Sequence, residues 1–348
     1  MKIFITADFS EESVARLRQM GHDVKLGGWG FTGEILDEDT LIRELGDSEV
    51  LIVGYEPVTK RVLDSSKLRA ICSIRGGPRA NINVDYCSEL KIPVTYTKGR
   101  EAIPVADFTM GQIISLVRQI TRTDRELRSG KFTAVEKEYG SDKDVIWDMS
   151  DEGPWQSRKG IELAGKIHGL IGFGTVGQEV AKRAVGFGLT VIAFDPYQPD
   201  EVFVKQNAKK VDLVELLKES DIISIHAQIN DANKGMIGEE EFLLMKQGVY
   251  LINNARASIV DEKALRNAIA TGKVGGAALD VHHDEPIKAS DPLLKLDNVI
   301  LTPHIAGAGL EVIYRHSRMV VDDLLRLIEG KMPDAIANPE VLRAGTVF

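Results

Sequence analysis

The chain reads as an α/β fold of two parallel-sheet domains with an interdomain cleft. Three features point there. Short β-branched runs alternate with helical stretches in two separate series, one long helical stretch divides the series, and the second series opens on a glycine-rich turn between a strand and a helix. Regular β–α–β alternation sets strands in parallel with helices on the sheet faces. With 348 residues, the chain is long enough for two cores.

In the first series, residues 2–6 read as a strand, 11–20 as a helix and 23–26 as a strand. Residues 39–45 are helical, 50–53 a strand, and 71–74 a strand that ends in Arg75-Gly76-Gly77. From Ile103 to about Arg128 apolar residues recur at helical spacing (Ala106, Met110, Ile113, Ile114, Val117, Ile120), which predicts one long helix. A polar, acidic insert follows over 131–159 and carries Trp147 and Trp155. The second series begins at Gly165 and runs to about His304, and a last helix is expected over 310–328. If that helix packs back on the first hundred residues, the first domain is discontinuous: 1–102 completed by 310–348, with 103–309 inserted. Both domains are then Rossmann-like, the first flavodoxin-like and the second dinucleotide-binding.

Composition narrows the function. Lys and Arg number 43 against 52 Asp and Glu, a net charge of −9. That balance argues against nucleic acid or an anionic membrane as main partner, since both attract clustered cations. The apolar runs are far shorter than the ~20 residues that span a bilayer. Met1-Lys2-Ile3-Phe4-Ile5 turns polar by Thr6 and reads as a strand, not a signal peptide, so a cytoplasmic location is expected. Cys72 and Cys87 make no disulfide framework, Cys72 is expected to be a core thiol, and no CxxC or HExxH motif predicts a metal site.

Two stretches match GxGxxG. Gly172-Phe173-Gly174-Thr175-Val176-Gly177 follows the strand 166–171 and runs into the helix 178–187. The first glycine permits the tight turn, the second lets backbone approach a pyrophosphate, and the third lets helix and strand pack closely. The helix start presents unpaired N–H groups and a positive dipole end. Asp195 closes the next strand, 18 residues beyond Gly177. A carboxylate there accepts hydrogen bonds from ribose hydroxyls and repels a 2′-phosphate, which predicts NAD over NADP. The other match, Gly28-Trp29-Gly30-Phe31-Thr32-Gly33, is expected to be a surface loop, because the next helix is not expected before Asp37.

Three later strands end in candidate chemistry. Residues 249–253 lead to Asn254-Ala255-Arg256, 276–281 to His282-His283-Asp284-Glu285-Pro286, and 299–301 to Thr302-Pro303-His304. Ligands bind at strand carboxyl ends in open parallel sheets, so these stretches should converge on the cofactor. Arg offers a bidentate grip on a carboxylate, and His with a carboxylate neighbour moves a proton near neutrality. His282 and His283 read as loop residues, and His226 is left open.

With the glycine loop upstream, INNARASIVDEKAL (252–265), GGAALDVHHDEP (275–286) and PHIAG (303–307) resemble the D-isomer-specific 2-hydroxyacid dehydrogenase family, which includes phosphoglycerate, glyoxylate/hydroxypyruvate and formate dehydrogenases. The resemblance implies an NAD-dependent oxidoreductase acting on a small 2-oxo or 2-hydroxy acid. It implies Arg256 on the substrate carboxylate, His304 as acid/base and Glu285 as its partner. By the same resemblance Asp280 holds the nicotinamide carboxamide, and the cofactor is lined by Gly172, Gly174, Thr175, Val176, Gly177, Asp195, Ala227, Asn254, Ala255 and Gly307. Backbone N–H groups of the loop 74–78, with Arg75, Gly76 and Gly77, would hold the substrate carboxylate. The family usually forms homodimers through the long helix, here 103–128, and the insert. Arg75, Arg79, Lys98 and Arg100 lie near the substrate loop and suggest a second anionic group on the substrate. An alternative of another class is an NAD(H)-sensing binding protein like the transcriptional corepressors that share this fold.

Overall fold

A computed structural model describes residues 1–133 and 150–343, so Trp147 and most of the acidic insert lie outside the described residues. The chain divides into two compact units, Met1–Arg100 with Gly309–Phe348, and Glu101–Ala308.

The first unit holds five parallel strands: β1 (Lys2–Ile5), β2 (Asp23–Leu26), β3 (Val50–Val53), β4 (Ala70–Ser73) and β5 (Val94–Tyr96), in the order β2-β1-β3-β4-β5. This is the flavodoxin-type order, which reverses direction between β1 and β3. Strands β3 and β4 are buried along their whole length, as continuous apolar runs in a sheet covered on both faces must be. One face packs on Leu41, Val62 and Leu63, the other on Leu17 and on Val320, Val321 and Leu324 of the helix Glu311–Ile328. That helix completes the first unit. It is tied in further by Ser317, whose hydroxyl accepts the Ser10 N–H at 2.9 Å. Cys72 is fully buried, and burial pushes its thiol up to about 12, so it is a core residue.

The Gly28–Gly33 stretch is not a plain surface loop. Trp29–Thr32 forms one helical turn, whose first N–H is accepted by the buried Glu56 carboxylate at 2.8 Å. Its glycines answer to packing: a Cβ on Gly30 would fall 2.1 Å from the Ala7 carbonyl carbon, and one on Gly28 2.6 Å from Glu56 Oε1.

The second unit holds seven parallel strands: β6 (Ile167–Ile171), β7 (Thr190–Phe194), β8 (Ala208–Lys210), β9 (Ile222–Ile225), β10 (Val249–Asn253), β11 (Val274–Leu279) and β12 (Val299–Leu301). Their order, β12-β11-β10-β9-β6-β7-β8, is the dinucleotide-binding order, with the switch point between β6 and β9. Apolar layers cover both faces. The expected long helix is two helices, Ala102–Val117 and Ile120–Arg128, because Gln119 takes a left-handed conformation (φ +56°) that no helix continues through. Met110, Ile113 and Val117 face the core, while Ile120 and Leu127 lie 51% and 54% exposed. At the near edge of the insert, Arg158 grips Glu126 at 2.6 and 2.7 Å, and Trp155 lies in the short turn Pro154–Ser157.

The substitution Gly30→Ala tests this packing. The added methyl has only backbone beneath it, so thermal unfolding of the first unit should show a loss of about 2 kcal/mol or more; an unchanged melting temperature would contradict the close approach.

Candidate functional site

The glycine loop sits at the switch point of the second sheet. Gly172 has φ +94°, and a Cβ there would fall 2.5 Å from the Ala227 nitrogen, so the turn lies hard against the end of β9. A Cβ on Gly177 would fall 2.3 Å from the Gly172 oxygen, so the helix Thr175–Gly186 seats directly on the turn. Gly174 differs: a Cβ there would meet nothing within 4 Å, so a side chain would fill the space before the helix N-terminus. Among the described residues, no side chain caps that terminus. Its N–H groups and dipole suit a pyrophosphate, and the glycine pattern leaves room for one. Asp195 is half-buried; its carboxylate accepts the Phe173 N–H at 2.8 Å and the Tyr197 N–H at 3.0 Å, holding it beside the loop.

Three strand ends carry the rest. After β10, the buried Asn253 folds its amide over the following turn, accepting the Ala255 N–H at 3.1 Å and donating to the Arg256 carbonyl at 3.0 Å. The turn leaves Arg256 exposed, with one guanidinium nitrogen on the Ala255 carbonyl. Asn254 donates to Thr109 Oγ1 at 2.9 Å. After β11 and β12, the His304 Nδ1 lies 2.9 Å from Glu285 Oε2. That contact assigns the Nδ1 proton to the Glu285 bond, and Nε2 has no hydrogen-bond partner among the described residues. Burial works to raise the Glu285 pKa, but His304 and the His282 N–H together hold it below the usual carboxylate range. The backbone N–H of His282 donates to Glu285, and its ring contacts the Thr302 carbonyl at 2.9 Å.

Asp280 is almost fully buried, and both its oxygens are engaged. Oδ1 accepts the Thr302 hydroxyl at 2.7 Å and the Ile305 N–H at 2.9 Å, and Oδ2 accepts the Ala306 N–H at 2.8 Å. Gly307 follows, and a Cβ there would crowd the Glu101 side chain at 3.1 Å.

In the first unit the loop after β4 departs from expectation. The Ile74 N–H goes to the Val53 carbonyl, the Arg75 N–H to Ser73 Oγ, and Pro78 has none. Among the described residues, Gly76 and Gly77 keep exposed N–H groups without a partner. Members of the basic cluster have individual partners. Arg79 pairs with Asp85 at 2.7 Å, Arg100 contacts His316 Nδ1, and Arg75 lies over the Tyr55 ring.

The sequence reading missed the polar residues under this sheet edge: Thr109, Gln112, His168, Ser224, Asn253 and Thr302. Their only signal was a polar residue in an apolar run. His168 and His226 both place Nε2 against Ser224 Oγ, at 2.8 and 2.9 Å. Ser224 has one hydroxyl proton and two lone pairs, so at most one ring accepts from it and at least one ring donates to it. Burial lowers both imidazoles to about 3.

Comparison with known proteins agrees. The family model for the NAD binding domain of D-isomer specific 2-hydroxyacid dehydrogenases matches residues 110–306. The chain is 34% identical over 333 residues to a D-3-phosphoglycerate dehydrogenase of Archaeoglobus fulgidus, a match that covers 95% of this chain and 58% of that protein. The chain thus spans less than two thirds of that relative. It is 30% identical over 344 residues to a glyoxylate reductase of Korarchaeum cryptofilum, covering 98% of this chain and 97% of the relative. The structure of a D-lactate dehydrogenase from Aquifex aeolicus, complexed with NAD and lactic acid, matches with a TM-score of 0.68 at 28% identity, covering 99% of this chain and 98% of that one. The chain belongs to the D-isomer specific 2-hydroxyacid dehydrogenase family, and its residues 110–306 match that family's NAD binding domain.

The buried histidines set a pH dependence. Folded His168 stays neutral down to about 3, whereas an unfolded histidine takes a proton near ~6.5. The unfolded state then binds more protons, so stability falls as pH drops below ~6.5, by about 1.4 kcal/mol per pH unit for this residue. Denaturant unfolding between pH ~5 and ~6.5 should show a shallower slope for His168→Gln than for the parent; equal slopes would refute the buried neutral imidazole.

Proposed function

We propose that the chain is an NAD-dependent D-2-hydroxyacid dehydrogenase acting reversibly at C2 of a small 2-oxo or 2-hydroxy acid, of the phosphoglycerate, glyoxylate/hydroxypyruvate or sugar-acid type. The observation that carries this reading is the His304–Glu285 pair at 2.9 Å, at the same sheet edge as the glycine loop. When bound, NAD(H) exchanges a hydride with C2 of the substrate. Arg256 binds the substrate carboxylate through its exposed guanidinium and polarises the adjacent carbonyl. His304 Nε2 gives a proton to the C2 oxygen in reduction and takes one from the hydroxyl in oxidation. Glu285 holds the ring by Nδ1 and stabilises its charged form. The Gly76 and Gly77 N–H groups add carboxylate donors, with Arg75 in the same loop.

For the cofactor, Gly172, Gly174 and Gly177 with Thr175 and Val176 hold the pyrophosphate. Asp195 takes the ribose hydroxyls and favours NAD over NADP. Ala227, Asn254, Ala255, Asp280 and Gly307 line the remainder. The exposed Ile120 and Leu127 offer apolar surface for a homodimer contact.

Turnover is tested by following NADH consumption with glyoxylate, hydroxypyruvate, phosphohydroxypyruvate and pyruvate. One of these should be reduced, and His304→Ala should lower kcat by about 10²–10⁴-fold with NADH still bound. Full activity in that variant would overturn the assignment. Gly174→Val separates fold from cofactor: its melting temperature should hold while the NADH Kd rises at least ~10-fold, as a side chain enters the space a phosphate needs. Unchanged NADH affinity would remove the loop from the cofactor site.

A further inference from the structure

We propose that Asp280 is a positioning residue for proton transfer: its carboxylate clamps the loop that carries His304, and Thr302 and Gln112 orient the clamp. The proposal rests on the assignment of His304 as proton carrier.

His304 has φ +58°, a left-handed conformation that a non-glycine residue adopts only when its surroundings impose it. Those surroundings are concrete. The Thr302 hydroxyl before His304 and the Ile305 and Ala306 N–H groups after it all converge on one buried carboxylate. The three contacts bracket His304 on both sides and leave neither Asp280 oxygen without a donor. A carboxylate suits this task because it only accepts, and it accepts at two oxygens.

The direction of the Thr302 proton is set from behind. The Gln112 Nε2 donates to Thr302 Oγ1 at 3.4 Å, and Thr302 in turn donates to Asp280. Gln112 is 5% exposed on the helix Ala102–Val117. A chain of donors therefore runs from that helix through Thr302 to Asp280, and the loop closes on its far end. With the loop held, His304 Nδ1 meets Glu285, and Nε2 keeps one direction. Misplacement of a reacting group by about 1 Å can cost ~10²-fold in rate, so a clamp of this kind acts on kcat.

The test compares Asp280→Asn with Thr302→Val. The asparagine keeps the shape but has one acceptor oxygen and turns an NH2 toward donors it cannot accept from. The valine removes only the hydroxyl. For each variant, melting temperature, NADH Kd, kcat and the solvent deuterium isotope effect on kcat are measured. A clamp predicts kcat down by about 30-fold or more in Asp280→Asn and by ~3–10-fold in Thr302→Val. It also predicts a larger solvent isotope effect in both, because proton transfer has become slower, and a NADH Kd within ~3-fold of the parent in Thr302→Val. A NADH Kd raised at least ~10-fold in Asp280→Asn, with Thr302→Val unchanged throughout, would overturn the clamp and leave Asp280 as a cofactor ligand. If Asp280→Asn does not fold, Thr302→Val decides: the parent's kcat and isotope effect in that variant would overturn the clamp. Turnover retained by His304→Ala would sink the proton-carrier assignment itself. An inactive His304→Ala beside a fully active Asp280→Asn would sink only the clamp.

Discussion

A parallel sheet brings all its strand carboxyl ends to one edge, and the site depends on that constraint. In the second unit, β6 delivers Gly172, β7 Asp195, β9 His226, β10 Asn253 and Arg256, β11 Asp280 and β12 Thr302 and His304. Residues more than a hundred positions apart become neighbours with no long-range device beyond the sheet ladder. The switch point between β6 and β9 then opens a crevice where the glycine turn meets Ala227. An antiparallel arrangement would divide the same residues between two edges.

The second organising feature is polar. On the face of the sheet covered by the helix Ala102–Val117, the buried His168, Ser224 and Asp280 and the half-buried Asn254 and Thr302 form a polar band, met by Thr109 and Gln112 from the helix. Buried polar groups are costly unless satisfied, and a network that satisfies them selects one arrangement over many. The band gives up some apolar burial to orient side chains at the sheet edge, although among the described residues Gln112 Oε1, His168 Nδ1 and Asn254 Oδ1 have no partner. Asn253 does the same on the opposite face, where it fixes the turn that presents Arg256.

Much of this was legible in the residues. The strand–helix rhythm marks nearly every element, and the glycine turn between strand and helix marks the proposed cofactor site, because backbone geometry leaves few alternatives to glycine there. Arg256, Glu285 and His304 stood out because each is a titratable or charged residue just beyond an apolar strand. The break at Gln119 was not legible: the apolar spacing continues across it, and a left-handed residue other than glycine carries no compositional mark. Nor was the helical turn at Trp29, which depends on Glu56 arriving from another strand end. The partners within the basic cluster were not legible either, because proximity in sequence says nothing of them; Asp85 pairs with Arg79, and the Tyr55 ring underlies Arg75.

By itself, then, the sequence determined the two α/β series, the glycine turn, the acid on the second strand and the identity of the residues equipped for chemistry. These follow from local rules: periodicity, turn geometry and the functional groups of side chains. Only the tertiary structure decided which hydrogen-bond partner each group takes. It assigned the Nδ1 of His304 to Glu285, both oxygens of Asp280 to one loop, and the free N–H groups of the first-unit loop to Gly76 and Gly77. Partners are set by distances between strand ends that are far apart in the chain, and no window along the sequence contains both members of such a pair.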